Sequence, residues 1–231
     1  MKKIKGVEHI FFDLDHTLWD FDRNSKLAYQ QIFDEFKLDL PLDKFIEVYV
    51  PLNLKFWRLY RINQIGKEEL RYQRLKAAFD ACGYLVEDTT INTIADLYIE
   101  YLPNYNHLFP NCHTMLESLV KNYQLHIITN GFEEVQARKI AASGLDRYFK
   151  VVLTAEAAGV KKPDPAIFLL ALEKAGATAR ESLMIGDSYE ADIQGAKSVG
   201  MQTLWFNLDE TSTFEDFSIN RLDIISTLLA L

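Results

Sequence analysis

The chain has 231 residues, of which 48% are hydrophobic, and a formal net charge of -8 at pH 7. This length can bury a substantial core, and the composition is ordinary for a globular protein. The acidic balance argues against a nucleic-acid polymer or an anionic membrane as the main partner. It still allows a small phosphate ester to bind beside a local cation.

Signals for export or membrane insertion are weak in this sequence. The basic residues 1–5 are followed by an apolar stretch that contains Glu8 and ends at Asp13, which is too short and too acidic for a signal peptide. No apolar run approaches the length that crosses a membrane. The two cysteines, Cys82 and Cys112, have neither metal-ligand nor redox spacing. These features predict a cytoplasmic protein with two buried, reduced thiols.

The first predicted element is a short buried strand over residues 10–12, which ends at the paired carboxylates of Asp13 and Asp15. Helical periodicity then dominates as far as residue 103. Helices are predicted in this region over residues 25–36, 43–61, 67–81 and 88–101. Aromatic side chains on them are expected in the core, and charged ones such as Arg74 on the solvated face. A helix over residues 111–121 leads back toward the sheet.

From Tyr123 onward, short β-rich runs alternate with helical patterns. Strands are predicted over residues 125–129, 151–154, 182–185 and 203–206, and helices between them over residues 133–143, 165–175 and 189–199. This alternation predicts right-handed crossovers and a doubly wound parallel sheet. We expect an α/β core domain of residues 1–17 and 104–231, with residues 18–103 inserted as a helical-bundle cap domain.

Four polar segments lie where these strands end or where a helix begins. They are Asp13–Thr17, Thr129–Gly131, Gly159–Pro165 and Gly186–Asp192. Each segment alone is also typical of a turn, a helix cap or a solvated surface. The carboxyl ends of parallel strands meet at one edge of a sheet, however, so the set favours a single active site.

In order and position, these segments resemble the four motifs of the haloacid dehalogenase (HAD) superfamily of aspartate-nucleophile phosphohydrolases. The matching residues are Asp13, Asp15, Thr17, Thr129, Lys162, Pro163, Gly186, Asp187 and Asp192. The resemblance implies a Rossmann-like core with a helical cap of the first type (C1). The cap sequence and residues 19–22 look most similar to small nucleotidase-like bacterial members.

The resemblance implies phosphomonoester hydrolysis through an aspartyl-phosphate intermediate. Asp13 is the expected nucleophile, and Asp15 is expected to protonate the leaving oxygen and then to deprotonate the attacking water. Thr129, Asn130 and Lys162 are expected to bind the phosphoryl group. Of these, Thr129 and Lys162 are also expected to act in catalysis.

The resemblance also implies a Mg²⁺ cofactor, which prefers oxygen ligands. Asp13 and Asp187 are the expected carboxylate ligands, and Asp15 is expected to contribute its backbone carbonyl. Asp192 is expected to support the metal by orienting metal-bound water. Lys162 is preferred to its neighbour, which is expected at the surface, because Lys162 directly precedes a proline as the family lysine does.

The expected substrate is a small phosphorylated metabolite, with a nucleoside 5′-monophosphate as the first candidate, acted on by a monomer or dimer. Trp19, Phe21 or an arginine of the cap are candidates for contacts with the leaving group. His16 departs from relatives that often have Gly or another small or acidic residue there, and it is expected to face solvent.

Two other functions remain open from the sequence, and one is disfavoured. A phosphosugar mutase of the same superfamily uses the same aspartate pair. A phospho-accepting signalling receiver domain also has a doubly wound sheet with acidic residues, Thr and Lys, but it is shorter and has no cap. Dehalogenases of the superfamily lack the second carboxylate of the first motif, so Asp15 argues against dehalogenation.

Overall fold

The computed structural model describes residues 3–208 and 217–229, which form two compact units. The first unit comprises the described residues up to Phe21 and from Asn106 onward, and the second is Asp22–Tyr105. The sequence placed the boundaries after residues 17 and 103. The parts of the predicted core domain at residues 1–2, 209–216 and 230–231 lie outside the described residues.

The first unit contains a six-stranded sheet in which every neighbouring pair is parallel. The strands are β1 (His9–Phe12), β2 (Gln124–Thr129), β3 (Phe149–Thr154), β4 (Ser182–Gly186), β5 (Gln202–Phe206) and β6 (Ser218–Ile219). Their order across the sheet is β3-β2-β1-β4-β5-β6. The α/β fold class predicted from the sequence is confirmed.

Helices connect these strands and make up the second unit. In the described part of the chain they are α1 (Phe21–Phe36), α2 (Leu42–Arg61), α3 (Lys67–Ala81), α4 (Asp88–Tyr101), α5 (Cys112–Leu119), α6 (Glu133–Ala142), α7 (Ala155–Ala158), α8 (Pro165–Ala175), α9 (Gly195–Ser198) and α10 (Ile225–Leu228). None of the helices in the described ranges is both long enough and apolar enough to cross a membrane.

The central strand β1 determines where a ligand can bind. Ile10, Phe11 and Phe12 alternate between the two faces of the sheet, and all three are fully buried, so both faces are covered. β1 pairs with β2 on one side and with β4 on the other. The chain order reverses direction at β1, and ligands of open α/β sheets bind beyond the carboxyl ends of strands at such a point.

Helix α8 follows the expected pattern of start and stop signals. The Asp164 side chain accepts a hydrogen bond from the Ala166 N–H at 2.9 Å, and Pro165 occupies the first helical position. Gly176 ends the helix with a left-handed φ of 64°. This helix places the preceding lysine-containing loop against the carboxyl ends of the strands.

The segment after β4 differs from the single helix predicted over residues 189–199. Tyr189–Gln194 forms a π-helix, which is followed by α9. The Ser188 carbonyl accepts hydrogen bonds from both Asp192 N–H, at 2.8 Å, and Ile193 N–H, at 3.3 Å, so the turn is one residue wider than in an α-helix.

The second unit packs α2, α3 and α4 and the rest of α1 around aromatic side chains. Tyr29 stacks on Tyr98 with ring centroids 4.5 Å apart. Arg74 is 1% exposed, donates a hydrogen bond to Asn53 Oδ1 at 3.0 Å and lies 5.0 Å from the Tyr98 ring centroid. The expectation that Arg74 faces solvent is therefore wrong, because ring faces and an amide oxygen replace water around its guanidinium.

Candidate active site

Asp13 is the first residue after the buried strand β1. Its N–H continues the parallel pairing by donating to the Ile185 carbonyl at 2.9 Å, so its backbone is held as firmly as the strand itself. The residue is 7% exposed. Its carboxylate therefore sits at the carboxyl end of the central strand with little contact to solvent.

Lys162 approaches Asp13 from the loop before α8. Its Nζ lies 2.6 Å from Asp13 Oδ1, 2.7 Å from the Ile128 carbonyl oxygen and 2.7 Å from Asp192 Oδ1. The Asn130 side chain holds the lysine backbone, accepting from Lys162 N–H at 2.8 Å and donating to its carbonyl at 3.0 Å. The Asn130 side-chain amide is thus engaged in positioning Lys162, so the phosphate contact predicted for Asn130 would be made by the Asn130 backbone N–H.

Asp187 and Asp192 follow β4 and complete an acidic cluster with Asp13. Oxygen atoms from the three carboxylates lie within 4.8 Å of one another. Asp187 accepts a hydrogen bond from the Thr17 hydroxyl at 3.3 Å. Asp192 is 1% exposed and accepts from the Ser188 N–H at 3.0 Å. Two strand ends therefore bring their acidic side chains to one place.

The donor set of this cluster fits a hard divalent cation. If all groups are ionised, the cluster holds two buried carboxylates and the half-buried one of Asp187, while Lys162 pairs with Asp13 and Asp192, which leaves an excess of negative charge. Burying uncompensated charge is unfavourable. Oxygen-rich, negatively charged sites of this kind suit Mg²⁺. Asp13, Asp187 and Asp192 are the side chains of this cluster that could hold it.

The pKa values of these groups reflect the same charge imbalance. Burial raises the pKa of Asp13, Lys162 lowers it, and Asp192 and Asp187 raise it further, so that it ends well above its ordinary value. Burial raises the pKa of Asp187 to about 7, with Asp192 as the second cause. Burial disfavours the Lys162 ammonium, but Asp13 and Asp192 raise its pKa overall. Without a metal, the cluster is therefore prone to take up protons.

Asp15 does not join this acidic cluster. Its Oδ1 lies 2.6 Å from Lys139 Nζ and its Oδ2 accepts from Gln136 Nε2 at 2.8 Å. The same amide nitrogen donates to Thr129 Oγ1 at 2.8 Å. Thr129 Oγ1 also accepts from the Gly131 N–H at 3.2 Å. Both bonds use the oxygen as acceptor, so neither of them uses the Thr129 hydroxyl proton.

Two residues of this network, Gln136 and Lys139, were not predicted from the sequence. They lie on α6, three positions apart and on one face, and are 0% and 2% exposed. The only sequence signal is their position, three residues apart on the helix that follows the strand of the second motif. That spacing does not reveal that the two side chains are buried, because Gln and Lys three positions apart are also typical of a solvated helix face.

His16 adopts a backbone conformation that explains why smaller residues suit this position. Its φ is 61°, in the left-handed region that favours glycine. The imidazole is half-buried and packs on Phe21 with ring centroids 4.8 Å apart. The expectation that His16 simply faces solvent is therefore only partly right.

Comparison with known proteins shows the family to which this chain belongs. The family model described as haloacid dehalogenase-like hydrolase matches residues 10–206, which is most of the chain. The protein therefore belongs to the haloacid dehalogenase-like hydrolases. The family membership predicted from the four motifs is confirmed.

Two curated relatives are nucleotidases by name. The pyrimidine 5′-nucleotidase PynA of Streptococcus pneumoniae is 34% identical over 200 residues, which cover 86% of this chain and 83% of PynA. The pyrimidine 5′-nucleotidase YjjG of Escherichia coli is 32% identical over 199 residues, which cover 86% of this chain and 85% of YjjG. The predicted enzyme class, a HAD-like phosphatase, is confirmed by these relatives.

Among solved structures, the HAD-hydrolase YfnB of Bacillus subtilis, described as bound to magnesium, has a TM-score of 0.87 at 26% identity. The match covers 96% of this chain and 98% of YfnB. A dehalogenase at 20% identity (TM-score 0.75) and the L-2-haloacid dehalogenase of Xanthobacter autotrophicus at 17% (TM-score 0.73) also match, and at that level the likeness shows the fold alone.

Proposed function

We propose that this enzyme is a Mg²⁺-dependent phosphomonoesterase that acts through an aspartyl-phosphate on a small phosphate ester, with pyrimidine nucleoside 5′-monophosphates as the first substrate class. The convergence of Asp13, Asp187 and Asp192 within 4.8 Å carries the proposal. The names of the relatives PynA and YjjG support the substrate class.

The proposed nucleophile is Asp13, whose Oδ1 is oriented by Lys162. The three N–H groups of this ammonium face Asp13, Asp192 and the Ile128 carbonyl, so when substrate is bound it pairs with a phosphoryl oxygen by sharing or giving up one of these contacts. The Thr129 hydroxyl and the Asn130 backbone N–H donate to other phosphoryl oxygens. These donors stabilise the negative charge of the transferring group, which is the main requirement for catalysing phosphoryl transfer.

Asp13, Asp187 and the Asp15 carbonyl would hold Mg²⁺, with Asp192 in support. When bound, the ion would reduce the repulsion between the anionic ester and the carboxylate nucleophile. Asp15 supplies the proton to the leaving oxygen and later accepts one from water. The Asp15 side chain is 21% exposed, so a substrate can reach it. Its two carboxylate oxygens at the same time contact Lys139 and Gln136.

The test is a phosphate-release assay with pyrimidine and purine nucleoside monophosphates and sugar phosphates, each with Mg²⁺ or EDTA. We expect release that requires Mg²⁺ and is greatest with pyrimidine nucleotides. Absence of release from every ester by folded protein with Mg²⁺ would contradict the phosphatase mechanism. Release from sugar phosphates only would contradict the substrate class, and an isomerised sugar phosphate without release would favour the mutase.

A further inference from the structure

Helix α6 holds the Asp15 carboxylate at both of its oxygens. Lys139 Nζ lies 2.6 Å from Oδ1 and Gln136 Nε2 donates to Oδ2 at 2.8 Å. The two donors approach different oxygens of one planar group. Rotation of the carboxylate about its Cβ–Cγ bond would break at least one of these contacts, so the group is held in a single orientation.

The positively charged side chain of Lys139 is buried, which is unusual for an ammonium group. The side chain is 2% exposed, and its Nζ lies 4.2 Å from the centroid of the Trp19 ring and 5.3 Å from that of Phe21. Trp19 itself is fully buried. Burying an ammonium is unfavourable unless charged and aromatic partners compensate. Trp19 therefore limits where the ammonium can lie, and the ammonium in turn limits Asp15.

Gln136 connects Asp15 to the predicted phosphate-binding residue Thr129. Its Nε2 donates to Asp15 Oδ2 and to Thr129 Oγ1, at 2.8 Å in both cases. Gly131 leaves room for this side chain, since a Cβ there would lie 2.2 Å from Nε2 and 2.8 Å from Cγ. The glycine of the second motif is thus required for Gln136 to reach both partners.

We propose that Lys139 and Gln136 are positioning residues that aim Asp15 for proton transfer to the leaving group. This inference rests on the proposed function. In the first step, a bond forms between Asp13 and phosphorus, the ester P–O bond breaks and Asp15 gives its proton to the departing oxygen. In the second, water adds to phosphorus, its proton passes to Asp15, and the bond between Asp13 and phosphorus breaks to release inorganic phosphate.

A positioning role predicts a dependence on the leaving group. Departure of 4-nitrophenolate needs little help from an acid, because its anion is stable, whereas phenolate is more basic and needs the proton more. The value of kcat/KM reports events up to departure of the alcohol, so it isolates this step from hydrolysis of the phosphoenzyme. Phenyl phosphate and 4-nitrophenyl phosphate are similar in shape, so the comparison does not depend on the natural substrate.

The experiment measures kcat/KM for these two esters with Mg²⁺ in wild type, Lys139→Met, Gln136→Met and Asp15→Asn. We expect Lys139→Met to lower the value for phenyl phosphate by about 10²-fold and that for 4-nitrophenyl phosphate by less than about tenfold. Gln136→Met should show the same selectivity with a smaller loss, because one anchor of the carboxylate remains. Lys174→Met, in the exposed last turn of α8, is the control and should match wild type.

Equal losses on both esters in folded Lys139→Met, or no loss on either, would overturn this inference while leaving the phosphatase intact. If Lys139→Met does not fold, Gln136→Met decides the question by the same criterion. Wild-type protein that releases phosphate from neither these esters nor the nucleotide panel would overturn the proposed function, and this inference with it.

Discussion

The Nζ atom of Lys162 lies 2.6 Å from Oδ1 of Asp13, although 149 positions separate the two residues in the chain. The same atom lies 2.7 Å from Asp192 Oδ1. One buried ammonium therefore connects the end of the central strand, the loop before α8 and the π-helix after β4. Because two carboxylates share this one cation, we expect the site to respond to substitution, to pH and to magnesium.

Asp13→Asn should abolish phosphate release, by about 10⁴-fold or more, because an amide cannot serve as the nucleophile. The fold should persist, since Lys162 retains its contacts with Asp192 and the Ile128 carbonyl. Phosphate assays and thermal melting test both points. Mass spectrometry of acid-quenched wild type should also detect phosphate on Asp13. Wild-type turnover by the variant would exclude the covalent route.

Lys162→Met should destabilise the metal-free protein by about 3 kcal/mol, because it leaves the buried carboxylates of Asp13 and Asp192 without their cation. Mg²⁺ should restore more stability to this variant than to wild type. Urea unfolding with Mg²⁺ or EDTA measures both effects. Lys174→Met is the control, and as an exposed substitution it should change stability by less than about 0.5 kcal/mol. Equal stability of the two variants in EDTA would contradict the prediction.

The contribution of Asp187 to the stability of the metal-free protein should fall as pH rises from about 5 to about 7. The pKa of Asp187 is raised from 3.8 to about 7, so in this range the folded state binds a proton that the unfolded chain has released. Through Asp187, raising the pH therefore favours the unfolded chain, whereas burial lowers the pKa of His126 to about 4 and acts in the opposite direction. Urea unfolding of wild type and Asp187→Asn in EDTA at several pH values separates the two, and the stability of wild type relative to the variant should fall as pH rises. A relative stability that rises with pH would contradict the assignment.

Magnesium affinity should weaken as pH falls below about 7. The pKa values of Asp13 and Asp187 are raised, so protons compete with the ion for these two carboxylates. Binding near pH 6 should release protons. Titration calorimetry in buffers of different ionisation enthalpy measures that release directly. Saturating Mg²⁺ should also remove the pH dependence that Asp187 contributes to stability. Proton-independent binding would indicate that the ion binds elsewhere.

Gly186→Ala should disturb the acidic cluster without adding charge. A Cβ at this position would lie 2.3 Å from Asp192 Oδ2 and 2.7 Å from Asp192 Cβ, so the Asp192 side chain that pairs with Lys162 must shift. We expect a loss of about 1–3 kcal/mol in stability and weaker Mg²⁺ binding. Unfolding and calorimetry measure these changes.

Gly66→Ala provides the matched control for that substitution. Its φ is -83°, and the nearest atom to a Cβ at this position would be Glu68 Oε2 at 3.9 Å. The expected loss is below about 1 kcal/mol, with Mg²⁺ binding unchanged. Similar effects of the two substitutions would mean that contact with Asp192 is not the cause.

Much of the fold could be predicted because the local sequence patterns coincide with the strands that form the sheet. The apolar run before Asp13 and the alternation after Tyr123 correspond to β1 to β5. Strand β6 was missed, since Ser218–Ile219 is too short for periodicity to detect. The π-helix was missed because its extra residue arises from two donors sharing the Ser188 carbonyl, which no residue spacing reveals.

The sequence by itself determined which residues are candidates for the chemistry, since paired aspartates, a lysine before proline and Gly-Asp after a strand are chemical features of the chain. Only the tertiary structure decided how the charges are paired. Asp13 shares Lys162 with Asp192, whereas Asp15 is held by Lys139 and Gln136. Pairing depends on distances of a few ångströms and on burial, which weakens screening by water. Those quantities exist only once separate strands and helices have packed together.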